Sequence, residues 1–117
     1  MSETPVDHVW QPVCKLDDVP INGGVTVPAE PPIAVFRVGN ACFATAETCT
    51  HATFSMAGGF VDDDCTVECE LHGAVFCLRT GAVLKGPASV ALATYPIKIE
   101  DGVVYVAPHS PSGPGMA

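Results

Sequence analysis

Basic side chains are scarce in this 117-residue chain: 5 Lys and Arg stand against 13 Asp and Glu, for a formal charge of −8. A surface of that sign repels a phosphate backbone, which argues against nucleic-acid binding. It also lacks the basic face that draws peripheral proteins to anionic membranes. The partner it would steer is a protein with a basic surface. Long apolar runs are missing too, and none approaches the ~20 residues of a bilayer-spanning helix. Met1 to Asp7 carries acids and a proline with no apolar segment after it, unlike an export signal. The expected compartment is therefore the cytoplasm, where thiols stay reduced. No internal repeat, heptad pattern, Ser-His-Asp set, nucleotide-binding glycine loop or catalytic carboxylate pair stands out, so the chain is not expected to be a catalyst.

What is present fits one compact β domain. The chain is 48% hydrophobic, enough for a real core, and its 11 Gly and 11 Pro indicate many turns and few long helices. Strands are expected at Val9–Leu16, Val25–Val27, Ile33–Val38 and Ala41–Thr45, with Gly39-Asn40 turning the last two into a hairpin. Short runs at Thr66–Cys69 and Ala74–Leu78 look like strands framing loops. Val90–Glu100 is extended, and Asp101-Gly102 followed by Val103–Val106 is the strongest hairpin signal. Pro108–Ala117, rich in Pro, Gly and Ser, is expected to be a flexible tail after a domain of residues 1–107.

The middle of the chain holds the chemistry. Cys49-Thr50-His51 and Cys69-Glu70-Leu71-His72 are two mixed thiol–imidazole pairs, separated by 17 residues. Each pair is short enough for one loop, so two loops could close on one metal centre from opposite sides. In a [2Fe–2S] core, one iron could take both thiolates and the other both imidazoles. The rival is a structural zinc site, since Cys₂His₂ is also a zinc ligand set. Zinc sites usually group two cysteines and then two histidines on a ββα unit, whereas here each pair is mixed and no helix follows. A three-disulfide framework for the six cysteines lacks the export signal expected with it.

The C-x-H and C-x-x-H boxes, with His72-Gly73, Arg79-Thr80-Gly81, Gly86-Pro87 and Tyr95-Pro96-Ile97, resemble the Rieske family over most of the chain. In size and order the chain is similar to the stand-alone ferredoxins of bacterial aromatic-ring dioxygenases. The resemblance implies an all-β fold of antiparallel sheets with a loop-rich cluster-binding subdomain at about residues 47–87. It implies one [2Fe–2S] cluster, with Cys49 and Cys69 on the inner iron and His51 and His72 on the outer one. Gly86-Pro87 matches a third loop covering the cluster. It further implies a monomeric one-electron carrier between a flavin-containing NAD(P)H reductase and a terminal ring-hydroxylating oxygenase. Small subunits of nitrite-reductase-like systems share the fold but often lack the ligands.

Departures from the family pattern bear on potential. Rieske proteins of cytochrome bc complexes carry a disulfide between the cluster loops, but the matching positions here are Phe54 and Leu71. A serine and a tyrosine that donate to cluster sulfurs in those proteins align with Ala74 and Phe76. Without such donors the added electron is less stabilised, so a potential near the low end of the Rieske range, about −150 mV, is expected.

The remaining residues have plainer assignments. Cys42 is expected to be a small buried hydrophobe, Cys14 has no assigned role, and Cys65 and Cys77 flank the second box. His8 and His109 are expected to be solvated, and Trp10, Phe36 and Tyr95 to be core. Asp62, Asp63, Asp64, Glu68 and Glu70 form an acidic run that is either a solvated turn or a docking rim for the redox partners.

Overall fold

The structure is a computed structural model and describes residues 10–29, 32–48, 55–69, 73–86 and 91–107. Eleven strands follow in order: β1 (Gln11–Lys15), β2 (Gly23–Val27), β3 (Ile33–Val38), β4 (Ala41–Ala46), β5 (Phe60–Asp62), β6 (Thr66–Glu68), β7 (Val75–Cys77), β8 (Val83–Lys85), β9 (Thr94–Tyr95), β10 (Ile97–Glu100) and β11 (Val103–Val106). They form three antiparallel sheets: β1-β11-β10, β2-β3-β4-β9 and β5-β6-β7-β8. A 3-10 turn at Leu16–Asp18 is the one helical element among the described residues. The expected tail, with His109, and the N-terminal residues with His8 lie outside them.

Turn chemistry builds the two hairpins. Gly39 takes φ 59°, and Val38 pairs with Ala41 across the Gly39-Asn40 turn. Asp101 and Gly102 take φ 51° and 75°, the double left-handed step of a type I′ hairpin, so Glu100 pairs with Val103. Pro12 is tolerated in β1 because this strand is a sheet edge, and the ladder shifts register between Pro12 and Cys14.

The middle sheet separates two cores. Ile33 and Val35 of β3 pack with Val19, Ala44, Tyr95, Val104 and Val106 on one side. Ala34 and Phe36 pack on the other side with Met56, Val67, Cys69, Ala74, Phe76 and Leu92. A strand buried on both faces reads as a continuous apolar run, which explains Ile33-Ala34-Val35-Phe36. Arg37 at its end donates from Nε to the Gly39 carbonyl at 2.8 Å and from Nη1 to the Leu16 carbonyl at 3.2 Å, fastening the 3-10 turn to the hairpin.

Several expectations need correction. Strands β5 and β8 were not expected, so the middle of the chain carries a complete four-stranded sheet. The extended run at 90–100 is two strands in two sheets: β9 pairs with β4, and after Pro96 β10 pairs with β11. Phe36 and Tyr95 are buried, but Trp10 is only half-buried, its ring 4.8 Å from the Lys98 ammonium. A cation over an indole face retains the aromatic attraction while keeping the ring at the surface.

Candidate metal centre

Of the four expected ligands, Cys69 lies within the described residues, whereas Cys49, His51 and His72 lie outside them, as do Phe54, Glu70, Leu71 and Pro87. Cys69 follows directly on β6 and is 1% exposed. Its N–H donates to the Ala74 carbonyl at 2.7 Å, and its own carbonyl accepts from the Gly73 N–H at 3.0 Å. These two bonds hold both sides of the second box together. Gly73 has φ 77°, a conformation that side chains other than glycine's rarely adopt.

The first box has a similar neck. Thr48 and Ser55 form an antiparallel bridge, and the Met56 N–H donates to the Glu47 carbonyl at 2.7 Å. Residues beyond Gly86 return at Leu92, whose N–H donates to the Gly81 carbonyl at 2.9 Å. The Ala46 N–H donates to the Ala93 carbonyl at 2.9 Å, joining this return to the neck of the first box. Met56, Cys69, Ala74 and Leu92 all belong to one buried cluster, so the described flanks of the three segments converge on a single core.

The chemistry of Cys69 suits a soft metal. A thiolate buried among apolar side chains is costly unless a cation sits on the sulfur, and iron meets that need. Ala74 and Phe76 are both 0% exposed, so the two positions without hydroxyls line the core behind Cys69.

The other cysteines separate by environment. Cys42 is buried in β4 as expected; burial pushes its thiol up, with Arg37 opposing. Burial first, then Cys42 and Asp18, raise Cys14. Cys65 is 7% exposed, packs in the same core as Cys69, and accepts from Arg79 Nη2 at 3.5 Å. Cys77 pairs with Thr66 and is half-buried. Burial raises its thiol, but hydrogen bonds from the Thr80 hydroxyl and from the Thr80 and Arg79 backbones, with the Arg79 charge, outweigh it, and the net shift is downward.

The acidic run is exposed at Asp62, Asp63, Asp64 and Glu68. Asp63 accepts from Asn22 Nδ2 at 2.8 Å, and Asp64 accepts from Thr66 Oγ1 at 2.6 Å. Beside these acids lies a cleft of ≈ 370 Å³ walled by Phe60, Val75 and Leu84. Sequence reasoning missed it. The available signal was the apolar pairs Phe60-Val61 and Val83-Leu84, in two strands too short to attract attention.

The sequence profile of the Rieske [2Fe–2S] domain matches residues 9–96. The chain belongs to the Rieske [2Fe–2S] domain family. Domains of this family bind one [2Fe–2S] cluster. A 3-phenylpropionate/cinnamic acid dioxygenase ferredoxin subunit of Escherichia coli (strain K12) is 42% identical over 93 residues, covering 80% of this chain and 88% of that protein. A chain from the complex of reduced oxygenase and oxidized ferredoxin in carbazole 1,9a-dioxygenase superposes with TM-score 0.79 at 34% identity, covering 89% of this chain and 97% of that one. The Sphingomonas yanoikuyae B1 ferredoxin superposes with TM-score 0.78 at 33% identity, covering 85% and 98%. This Rieske protein is thus a ferredoxin, an electron-transfer component and not a catalytic subunit. No helix among its described residues is long and apolar enough to cross a membrane.

Proposed function

We propose that this Rieske ferredoxin carries single electrons from a flavin-containing NAD(P)H reductase to a terminal ring-hydroxylating oxygenase, working as a monomer in the cytoplasm. Cys49, His51, Cys69 and His72 are the residues that would hold the [2Fe–2S] cluster, the cysteines on one iron and the histidines on the other. When bound, the cluster supplies reversible one-electron transfer at a potential set by its mixed ligands. The burial of Cys69 in a core closed by paired necks is the observation that carries this reading, because it gives a thiolate a dry, fixed place beside two ligand-bearing segments.

The chain's other residues support the same role. Met56, Ala74 and Leu92 keep water from the Cys69 sulfur. Exposed Asp62, Asp64 and Glu68 orient the protein toward basic partner surfaces, and charge of this kind mainly sets encounter rate. The names of the relatives place them with aromatic-acid and carbazole dioxygenases, which favours an oxygenase as electron acceptor.

The test is metal analysis and electron paramagnetic resonance on anaerobically purified protein, followed by reconstitution with reductase and oxygenase. Red-brown protein with two irons per chain and, after dithionite, an average g value below that of all-cysteine clusters is expected. Cys69→Ser and His72→Ala should each abolish the signal. Tetrahedral zinc in place of iron would overturn the proposal.

A further inference from the structure

The sheet β5-β6-β7-β8 has two unlike faces. Val67 and Phe76 point into the core, both 0% exposed. On the outer face the register runs Phe60–Glu68–Val75–Lys85, with Asp62–Thr66–Cys77 in the next row. Phe60 and Leu84 are 64% and 58% exposed and, with Val75, wall the ≈ 370 Å³ cleft, whose rim carries Asp62, Asp64 and Glu68. Single exposed apolar residues are ordinary, but two large ones, Phe60 and Leu84, exposed on one cleft of mixed lining with three carboxylates are not.

The cleft and Cys69 are linked through the backbone of β6 and β7, on opposite faces of the sheet. Glu68 immediately precedes Cys69, and Val75 follows Ala74, whose carbonyl holds the Cys69 N–H. Among the described residues neither Asp62 nor Glu68 has a cationic partner; the Lys98–Glu100 ion pair lies on β10, in another sheet.

Resting on the electron-carrier reading above, we infer that this cleft is a docking face for the terminal oxygenase, which inserts a lysine or arginine beside an apolar side chain. The cation meets Asp62, Asp64 and Glu68, while its methylene stem and the neighbouring apolar group cover Phe60, Val75 and Leu84. Three features select this occupant. The net charge of −8 calls for a basic surface. The aromatic ring of Phe60 can accept a cation on its face. An oxygenase–ferredoxin complex is the setting of a matched chain of the same shape. The cleft would add a specific anchor to an otherwise small electron-transfer interface.

The test uses the full-length, cluster-loaded protein with Phe60→Ser, Leu84→Ser and Asp62→Lys, and the oxygenase that the wild-type protein reduces in reconstitution. Affinity is measured by calorimetry at low and high salt, with the paramagnetic signal and midpoint potential as readouts of an intact centre. Phe60→Ser and Leu84→Ser should each weaken oxygenase binding about tenfold or more. Asp62→Lys should weaken it at low salt and flatten the salt dependence. All three should keep the wild-type signal, and the two serine variants the wild-type potential. Unchanged oxygenase affinity in the two serine variants overturns the inference and leaves the carrier function standing. So does a loss confined to reductase binding, or a wild-type dimer that the serine variants dissociate. A wild-type protein that neither binds nor reduces any ring-hydroxylating oxygenase overturns the carrier reading and the docking face together.

Discussion

Gly81→Ala provides a sharp test of how the fold holds the return of the third segment. Gly81 has φ 79°, and a Cβ built there collides with the Leu92 carbonyl oxygen and meets Thr94 Cγ2 at 3.2 Å. Gly102 has nearly the same φ, 75°, but a Cβ there meets nothing within 4 Å. Both alanine variants incur the left-handed penalty of about 1–2 kcal/mol, offset by about 0.4–1 kcal/mol from a stiffer unfolded chain. Gly102→Ala should therefore cost about 1 kcal/mol. At Gly81 the obstacle is backbone, which cannot rotate aside, so the two segments must part. That movement breaks the bond from the Leu92 N–H to the Gly81 carbonyl, 2.9 Å long and beside a side chain that is 0% exposed. Leaving such groups unsatisfied adds about 1–3 kcal/mol, for a total of about 3 kcal/mol. At about 4 °C per kcal/mol for a chain of this length, Tm should fall about 12 °C for Gly81→Ala and about 4 °C for Gly102→Ala. Thermal unfolding of the two anaerobic, cluster-loaded variants by circular dichroism measures both shifts. Equal shifts would refute the reasoning, because φ alone would then account for the cost.

Further predictions concern the thiols and the sulfur environment. The folded Cys77 thiol titrates below its unfolded value. It therefore adds stability above the ordinary thiol range, and that contribution disappears as pH falls through the lowered value. Near neutral pH Cys77 should react with iodoacetamide faster than Cys14, whose thiol is pushed up, as read by peptide mass spectrometry. Thr80→Val should move the Cys77 profile to higher pH, and an unmoved profile would refute the hydrogen bond's role. Ala74→Ser and Phe76→Tyr should raise the midpoint potential in protein-film voltammetry by adding hydroxyls near the Cys69 sulfur; a fall in both would show that neither hydroxyl reaches sulfur.

Local chemistry made part of this protein legible in advance. Gly39-Asn40 and Asp101-Gly102 announce their hairpins because the turns need residues that accept φ > 0. The turn between β5 and β6 uses the same left-handed geometry but places Cys65 there at φ 63°, so its hairpin carried no glycine signature and both flanking strands were too short to compensate. The run from 90 to 100 looked continuous because extended backbone is common to both sheets, and only partner strands divide it at Pro96. Cys49, His51, Cys69 and His72 stood out as candidate ligands because residue type and spacing are local properties of a chain.

The sequence by itself determined the candidate ligand pairs, the acidic charge and the turn positions, since each depends on residue type or on residues nearly adjacent along the backbone. Only the tertiary structure decided that Met56, Cys69, Ala74 and Leu92 share one core, and that Phe60, Val75 and Leu84 wall one acid-rimmed cleft. Those groupings join residues far apart in sequence through strand register and sheet packing, which hydrophobic burial fixes for the molecule as a whole.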